Sequence, residues 1–136
     1  MKQIEPFGPF ALASNVTPVA VPSPAGELSG LLTGPSAPGL VDGTPAISAA
    51  SAPDAAGENR ALLVPGYTGS KEDYAPVLPF LGDAGWDVLA YSQRGQGGSA
   101  APAGLGAYGM SDFVNDLIAV AEAWAGTSGR VHLVGH

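Results

Sequence analysis

Three short apolar runs mark the second half of the chain, at residues 61–64, 87–91 and 130–134. The first run shows no alternation of apolar and polar positions, which is typical of a strand covered on both faces. Turn-forming and helix-forming stretches separate each run from the next. The order strand, helix, strand, helix, strand predicts a parallel sheet whose ligand-binding turns follow the carboxyl ends of the strands.

The clearest helix is predicted over residues 111–125, with Ser111 as its cap. Apolar positions recur there at helical spacing, and acidic and amide side chains fall on the opposite side. We therefore expect the first set in the core and the second in solvent. The first set is Phe113, Leu117, Val120 and Trp124, and the second is Asp112, Asn115, Asp116 and Glu122.

An earlier helix is predicted to open at Ser70, because Asp73 follows three residues later as in a capping box. Pro79 removes a backbone donor and disfavours helical backbone before it, so this helix should be short or kinked. Gly82 and Gly85 end it.

The first part of the chain has weaker patterns. Val19 and Val21 alternate with small residues, a turn signal covers 23–26 and a second apolar run covers 28–32, which together predict a β-hairpin. Residues 34–59 are rich in Pro, Ala, Gly and Ser. We expect them to form a mobile, low-complexity insert, because so few large apolar side chains cannot offset the entropy of ordering.

The three apolar runs are followed in order by Pro65-Gly66, by Ser92-Gln93-Arg94-Gly95-Gln96-Gly97-Gly98-Ser99 and by Gly135-His136. This series resembles the first half of an α/β-hydrolase, which carries His-Gly, then Asp-x-Arg-Gly-x-Gly-x-Ser, then Gly-x-Ser-x-Gly after successive strands. Pro65 and Ser92 depart from that pattern, at the His and at the first Asp. The resemblance covers about the last three quarters of the chain.

The fold class implied is α/β, as a partial α/β-hydrolase fold in which an N-terminal β-hairpin precedes a parallel βαβαβ unit. Residues 1–136 would be the incomplete N-terminal part of a single domain that stops at the nucleophile elbow. The low-complexity insert at 34–59 would interrupt that domain between the hairpin and the first parallel strand.

The resemblance also implies roles for individual residues. The backbone N–H of Tyr67 would donate to an oxyanion, and Gly135 and His136 would flank the nucleophile. In the family the acid and the His follow the nucleophile along the chain, so no catalytic residue is expected here and the chain alone should be inactive. The residues expected to serve only as structural turn residues are Pro65, Gly66, Arg94, Gly95 and Gly97.

The implied parent reaction belongs to the hydrolases, EC class 3. A Ser nucleophile would hydrolyse an ester, an amide or a similar small molecule through an acyl-enzyme, without a cofactor. An Asp nucleophile, as in epoxide hydrolases or dehalogenases of this fold, is the first alternative. Epoxide hydrolases often carry Pro where this chain has Thr68, which argues weakly against it. A short, noncatalytic binding protein is the second alternative.

Composition excludes several classes of partner but says little about the reaction. The net charge is −7 without a basic cluster, which argues against nucleic acids and anionic membranes. The chain has no Cys, which excludes thiolate metal sites, and its two His, His132 and His136, are too few and too close for most His-based ones, so no metal is expected. No apolar run is long enough to cross a membrane, and the N-terminus is a poor secretion signal. We therefore expect a cytoplasmic protein with a small-molecule substrate, and the oligomeric state stays open.

Overall fold

The computed structural model describes residues 12–38, 43–47, 59–127 and 129–136. These residues form a five-stranded sheet with a helix packed on each face. Two 3₁₀ turns, Lys71–Tyr74 and Leu105–Ala107, precede the two helices. In chain order the main elements are β1 (Val16–Ser23), β2 (Gly26–Thr33), β3 (Arg60–Val64), α1 (Leu78–Asp83), β4 (Asp87–Tyr91), α2 (Met110–Ala125) and β5 (His132–Gly135).

The strand order across the sheet is β1-β2-β4-β3-β5. β1 and β2 pair as an antiparallel hairpin, and β2 continues antiparallel onto β4. β3 lies parallel to β4 on one side and to β5 on the other. The predicted hairpin and the predicted parallel βαβαβ unit are both confirmed.

Each face of the sheet carries its own apolar layer, because successive side chains of a strand point to opposite faces. On β4, Leu89 and Tyr91 join the layer under α2, while Val88 and Ala90 join the layer under α1. All four side chains are buried. The helices close these layers with Val120 and Trp124 of α2 and Leu78 of α1.

The predicted first helix is divided in two. The Ser70 N–H donates to the Asp73 carboxylate at 3.2 Å, but this cap opens the 3₁₀ turn at Lys71–Tyr74 rather than an α-helix. α1 begins only at Leu78, with Pro79 in its first turn, where a missing N–H donor costs nothing. The prolines therefore shorten the helix, as expected from the sequence. No helix among the described residues combines the length and the apolar character needed to cross a membrane.

α2 begins one residue earlier than predicted, at Met110. Leu117, Val120 and Trp124 pack on the sheet as expected, but Phe113 is only half-buried and lies beside the Tyr108 ring, outside the layer under α2. The polar face does not match the prediction at Asp116, which is only 1% exposed. Helical spacing also placed Val114 and Ile118 beside the apolar stripe, but both are exposed. The prediction that Asp116 faces solvent is wrong because a buried guanidinium, described below, takes the place of water.

Part of the predicted insert packs against the hairpin. The Ala20 N–H donates to the Pro45 carbonyl at 2.9 Å, and the Ile47 N–H donates to the Ala20 carbonyl at 2.8 Å. Ile47 is buried in the layer under α2. One large apolar residue thus anchors residues 43–47, whereas residues 39–42 and 48–58 of the predicted insert lie outside the described residues.

Candidate active site

The carboxyl ends of β3, β4 and β5 meet at one edge of the sheet, where parallel sheets bind their ligands. Residues 65–70 follow β3 and are called the β3 turn below. Residues 92–99 follow β4 and are called the β4 turn. Gly135 ends β5 and His136 follows it. Motifs that are far apart in the sequence therefore lie together at this edge.

The β3 turn presents a backbone donor at the edge. The Gly69 N–H donates to the Gly66 carbonyl at 3.0 Å, which closes a tight turn around Tyr67. Tyr67 is 94% exposed, so its ring does not pack on a neighbour. Among the described residues, the Tyr67 N–H meets no acceptor. A backbone donor that is held in a turn without a partner is suited to receive a developing negative charge.

The β3 turn touches the end of β5 at Gly66. The His136 N–H donates to the Val64 carbonyl at 3.2 Å. A Cβ atom on Gly66 would lie 2.9 Å from the His136 Nδ1 and 3.3 Å from the His136 carbonyl oxygen. Only glycine leaves room for this contact. The predicted oxyanion donor and the predicted flank of the nucleophile are therefore neighbours.

The β4 turn contains three glycines with positive φ, of which Gly95 and Gly97 are the predicted turn residues. Gly95 and Gly97 have φ values of +77° and +37°, in the left-handed region that other residues rarely adopt. A Cβ atom on Gly97 would also lie 2.7 Å from the Ser92 hydroxyl oxygen. Backbone conformation and close packing thus both explain why glycine stands at position 97.

Ser92 replaces the Asp of the family pattern and is fully buried. Its hydroxyl accepts the Lys71 N–H at 3.0 Å, and its carbonyl accepts the Ser99 hydroxyl at 2.7 Å. The Ser99 oxygen in turn accepts the Ser29 N–H at 2.9 Å. Hydroxyl groups therefore bond the β4 turn to β2 and to the 3₁₀ turn at 71–74, although the carboxylate is missing.

Arg94 and Asp116 form a buried ion pair under the β4 turn. The Arg94 Nε and Nη2 donate to the two Asp116 oxygens at 2.7 and 2.8 Å, and Nη1 donates to the Ala107 carbonyl at 2.7 Å. Two-point pairing of this kind is strong and fixes geometry. The hydrogen bonds to Asp116 raise the pKa of Arg94, and burial, together with the Asp116 charge, raises the pKa of Tyr91.

Sequence analysis named Arg94 as a structural turn residue but did not identify its partner, Asp116. Helical periodicity placed Asp116 on the polar side of α2, which is correct for its neighbours and wrong for this residue. One feature of the sequence could have indicated a partner for Arg94. The chain has only five Lys and Arg residues in total, so a basic residue at a conspicuous turn position is unusual. A buried arginine among them requires a nearby carboxylate.

Two glutamine side chains of the β4 turn cross to the β3 turn. The Gln93 Nε2 donates to the Pro65 carbonyl at 3.1 Å. The Gln96 Nε2 donates to the Gly66 carbonyl at 3.1 Å and to the Tyr67 carbonyl at 2.9 Å. Sequence analysis assigned no role to either side chain, and an isolated glutamine between glycines carries no pattern that would have revealed one.

An open cavity of about 460 Å³ lies beside these glutamines. Most of its lining residues are apolar or aromatic, and Gln93 and Gln96 are the uncharged polar residues among them. This composition suits an uncharged small molecule. The lining residues include Tyr67, Gln93, Gln96, Tyr108, Met110 and Phe113.

His132 lies away from the β3 and β4 turns. Its ring meets the edge of Trp86, with 5.4 Å between ring centroids, on the α1 side of the sheet. Within the described ranges, no group of three His, Asp or Glu side chains is placed to hold a metal ion.

An antiparallel hairpin joined to a parallel sheet, with glycine-rich turns gathered at one carboxyl edge, defines an α/β protein of the hydrolase type. Residues 62–136 match the alpha/beta hydrolase fold family, and the chain belongs to that family.

Two curated relatives of similar sequence carry the names of different hydrolases. The RutD protein of Variovorax paradoxus (strain S110), named as a carbamate hydrolase, is 41% identical over 75 residues, which cover 55% of this chain and 27% of that protein. Epoxide hydrolase A of Mycobacterium tuberculosis is 36% identical over 61 residues, which cover 45% of this chain and 19% of that protein.

Solved structures agree on the fold. An epoxide hydrolase from an endophytic Streptomyces superposes with a TM-score of 0.66 at 27% identity, over 91% of this chain and 30% of that one. The epoxide hydrolase VrEH1 from Vigna radiata has a TM-score of 0.67 at 18% identity, over 93% of this chain and 33% of that one. The second likeness concerns the fold alone. The chain spans between 19% and 33% of the length of these four relatives.

Proposed function

We propose that these residues form the oxyanion side of a hydrolase active site whose reaction passes through a covalent ester of enzyme and substrate. The observation that carries the proposal is the contact between Gly66 and His136, which brings the β3 turn, with the Tyr67 N–H that meets no acceptor among the described residues, to the end of β5. In this family the nucleophile follows at the elbow after the fifth strand. A nucleophile bonded to His136 would therefore stand beside the Tyr67 N–H.

We assign this nucleophile as Ser. Its hydroxyl oxygen would attack the carbonyl carbon of an ester, an amide or a carbamate, while a His beyond residue 136 takes the hydroxyl proton and passes it to the leaving alcohol or amine. Water then hydrolyses the acyl-enzyme. The Tyr67 N–H and the N–H of the residue after the nucleophile would stabilise the tetrahedral oxyanion. This reaction needs no cofactor.

Two features support an uncharged small molecule as substrate. The cavity beside the β3 turn has mostly apolar walls and few polar groups. The net charge of −7 disfavours an anionic substrate. The RutD relative, named as a carbamate hydrolase, adds carbamates to the esters and amides considered from the sequence.

A second candidate is an epoxide hydrolase with an Asp nucleophile, because the Streptomyces structure and the Mycobacterium tuberculosis relative described above carry that name. The Asp carboxylate would open the epoxide by attack on a ring carbon, and water would then hydrolyse the resulting ester. The same Tyr67 N–H would serve the second step. Thr68, where epoxide hydrolases often carry Pro, supports Ser over Asp.

Covalent labelling of the full-length protein separates these candidates. A fluorophosphonate probe reacts with an activated Ser, so mass spectrometry should find the adduct on the residue that follows His136. An adduct elsewhere, or none, would contradict the Ser assignment. A single turnover with styrene oxide in ¹⁸O-labelled water would instead place ¹⁸O in an Asp carboxylate if the second candidate is right.

A substitution at Gly66 tests the oxyanion side directly. In the full-length protein, Gly66→Val should lower kcat for p-nitrophenyl acetate by about 10²-fold, the scale for loss of one oxyanion donor, because the new side chain meets His136. Gly106→Val is the matched control, since a Cβ atom there meets nothing within 4 Å. Equal kcat values for the two variants would exclude the proposed role of the β3 turn.

The 136-residue chain supplies a further control. Since we place the nucleophile, the acid and the base beyond residue 136, this chain should hydrolyse p-nitrophenyl acetate no faster than a heat-treated sample. Turnover that is lost when one of its own Ser residues is replaced would contradict the assignment.

A further inference from the structure

The side-chain amide of Gln96 holds the part of the β3 turn that carries the candidate oxyanion donor. Its Nε2 reaches two successive carbonyls, those of Gly66 and Tyr67. Gln96 itself is fixed, because its Oε1 accepts the Gln93 N–H at 3.2 Å and its backbone carbonyl accepts the Ser99 N–H at 2.8 Å. The Gln96 amide, which is itself held in place, therefore bonds to the carbonyl before Tyr67 and to the carbonyl of Tyr67.

Because a peptide bond is planar, the hydrogen bonds to these carbonyls also determine the direction of the Tyr67 N–H. The Gly66 carbonyl and the Tyr67 N–H belong to one planar trans peptide and point in opposite directions. A hydrogen bond that fixes the carbonyl therefore fixes the direction of the N–H. The second bond, to the Tyr67 carbonyl, fixes the next peptide plane, so both planes that flank the Tyr67 Cα are held by one amide.

We propose that Gln96 is a positioning residue that aims the Tyr67 N–H at the substrate oxygen, an inference that rests on the proposed function. Donor direction matters because an oxyanion donor contributes only when it points to where the charge develops. The Pro65 peptide is fixed by buried packing and by Gln93. In the part of the chain that the structure describes, the Gly66–Tyr67 peptide has the turn bond from Gly69 besides the bond from Gln96 and no other.

Gln93 offers a comparison within the same turn. Its Nε2 donates to the Pro65 carbonyl, whose peptide carries the Gly66 N–H and not the Tyr67 N–H. Gln93 and Gln96 are chemically identical, are three residues apart and both bridge the two turns. They differ in which peptide plane they hold, so the same substitution at each position isolates the proposed role.

The test uses Gln96→Glu and Gln93→Glu in the full-length protein. Glu keeps the shape of the side chain and the acceptor for the Gln93 N–H, but it replaces the amide donor by an oxygen that repels the carbonyls. We expect kcat for p-nitrophenyl acetate to fall by about 10-fold to 10²-fold in Gln96→Glu, with KM changed less than kcat. Gln93→Glu should lose clearly less, at a similar melting temperature.

The pH dependence gives a signature that a purely structural role would not produce. A protonated Glu carries one donor, so the kcat ratio of Gln96→Glu to wild type should rise as the pH falls toward about 4.3, the ordinary pKa of Glu. Taking the ratio removes the titration of groups that both proteins share. Equal kcat losses in the two variants, or a flat ratio, would overturn the inference.

Crystal structures of the two variants separate this inference from the proposed function. In Gln96→Glu the Gly66–Tyr67 peptide should rotate, whereas in Gln93→Glu it should keep its orientation. An unrotated peptide in Gln96→Glu would overturn the inference whatever the activity. An inactive wild-type protein that shows the expected rotation would contradict the proposed function while supporting the role of Gln96 in orienting the peptide.

Discussion

β4 and β5 lie on either side of β3 and run parallel to it, but their surroundings differ. Every residue of β4 is buried, and every residue of β5 is exposed in the described structure. β4 has β2 as its second neighbour and lies between two apolar layers. Among the described residues β5 pairs with β3 alone. Strands of similar apolar character thus become core or surface according to what lies next to them.

The backbone that follows each strand shows the same contrast. After β4, the buried pair of Arg94 and Asp116 and the hydroxyl of Ser99 hold the turn to α2 and to β2. After β5, the described residues show a backbone bond from the His136 N–H to the Val64 carbonyl. Among the described residues, side chains therefore hold the β4 side of the candidate site, and backbone bonds hold its β5 side.

The largest expected effect comes from removing the anchor of the β4 turn. Asp116→Ala leaves the buried Arg94 charge with only the Asp112 carboxylate, 3.7 Å from its Nη1. Loss of the two-point partner should lower the free energy of unfolding of the 136-residue chain by about 3 kcal/mol. Urea unfolding followed by circular dichroism measures this change. Glu122→Ala, at an exposed position of α2, is the control and should change stability by less than about 0.5 kcal/mol. Similar values for both would mean that the ion pair contributes little.

The second test compares one side chain from each strand. Leu89 is fully buried, so Leu89→Ala should cost the 136-residue chain about 2–5 kcal/mol. Leu133 is 57% exposed, so Leu133→Ala should cost less than about 1 kcal/mol. The same urea experiment compares the two. A larger cost at Leu133 would show that β5 is covered in solution, by a second copy of the chain for example.

A substitution on β5 should have the smallest effect on stability. It should have a measurable effect on the association of the 136-residue chain with other copies. An apolar edge strand is a template for pairing with other chains, and a charge on it blocks that pairing. Leu133→Lys should therefore reduce concentration-dependent association of the 136-residue chain in sedimentation velocity, with little change in its unfolding midpoint. Leu105→Lys removes an even more exposed leucine that lies outside the sheet. Equal effects of the two lysines would argue against edge pairing.

The sequence predicted elements that depend on local pattern. The runs at 61–64 and 87–91 became β3 and β4, and the hairpin signals became β1 and β2. Helical spacing identified α2 to within one residue. Each of these signals lies within a single segment of the chain, because burial and turn geometry restrict which residue types occur there.

Contacts between segments were not predictable in the same way. Asp116 faces Arg94, which is 22 residues earlier in the chain, and helical period alone gives Asp116 the wrong environment. Gln96 reaches a turn 30 residues away through an amide that any exposed loop could carry. Ile47 anchors a stretch whose composition indicates no packing. In each case the side chain contacts a residue that is distant in the sequence and becomes a neighbour only in the folded chain.

The two tryptophans of the chain divide between the two faces of the sheet. Trp124 is buried on the α2 side, with the Arg60 guanidinium 5.1 Å from its ring centroid. Trp86 lies on the α1 side against the ring of His132, a residue of β5. Each apolar layer therefore carries its own optical reporter. In single-tryptophan variants, Trp124 emission would follow the release of α2, and Trp86 emission would follow the release of β5.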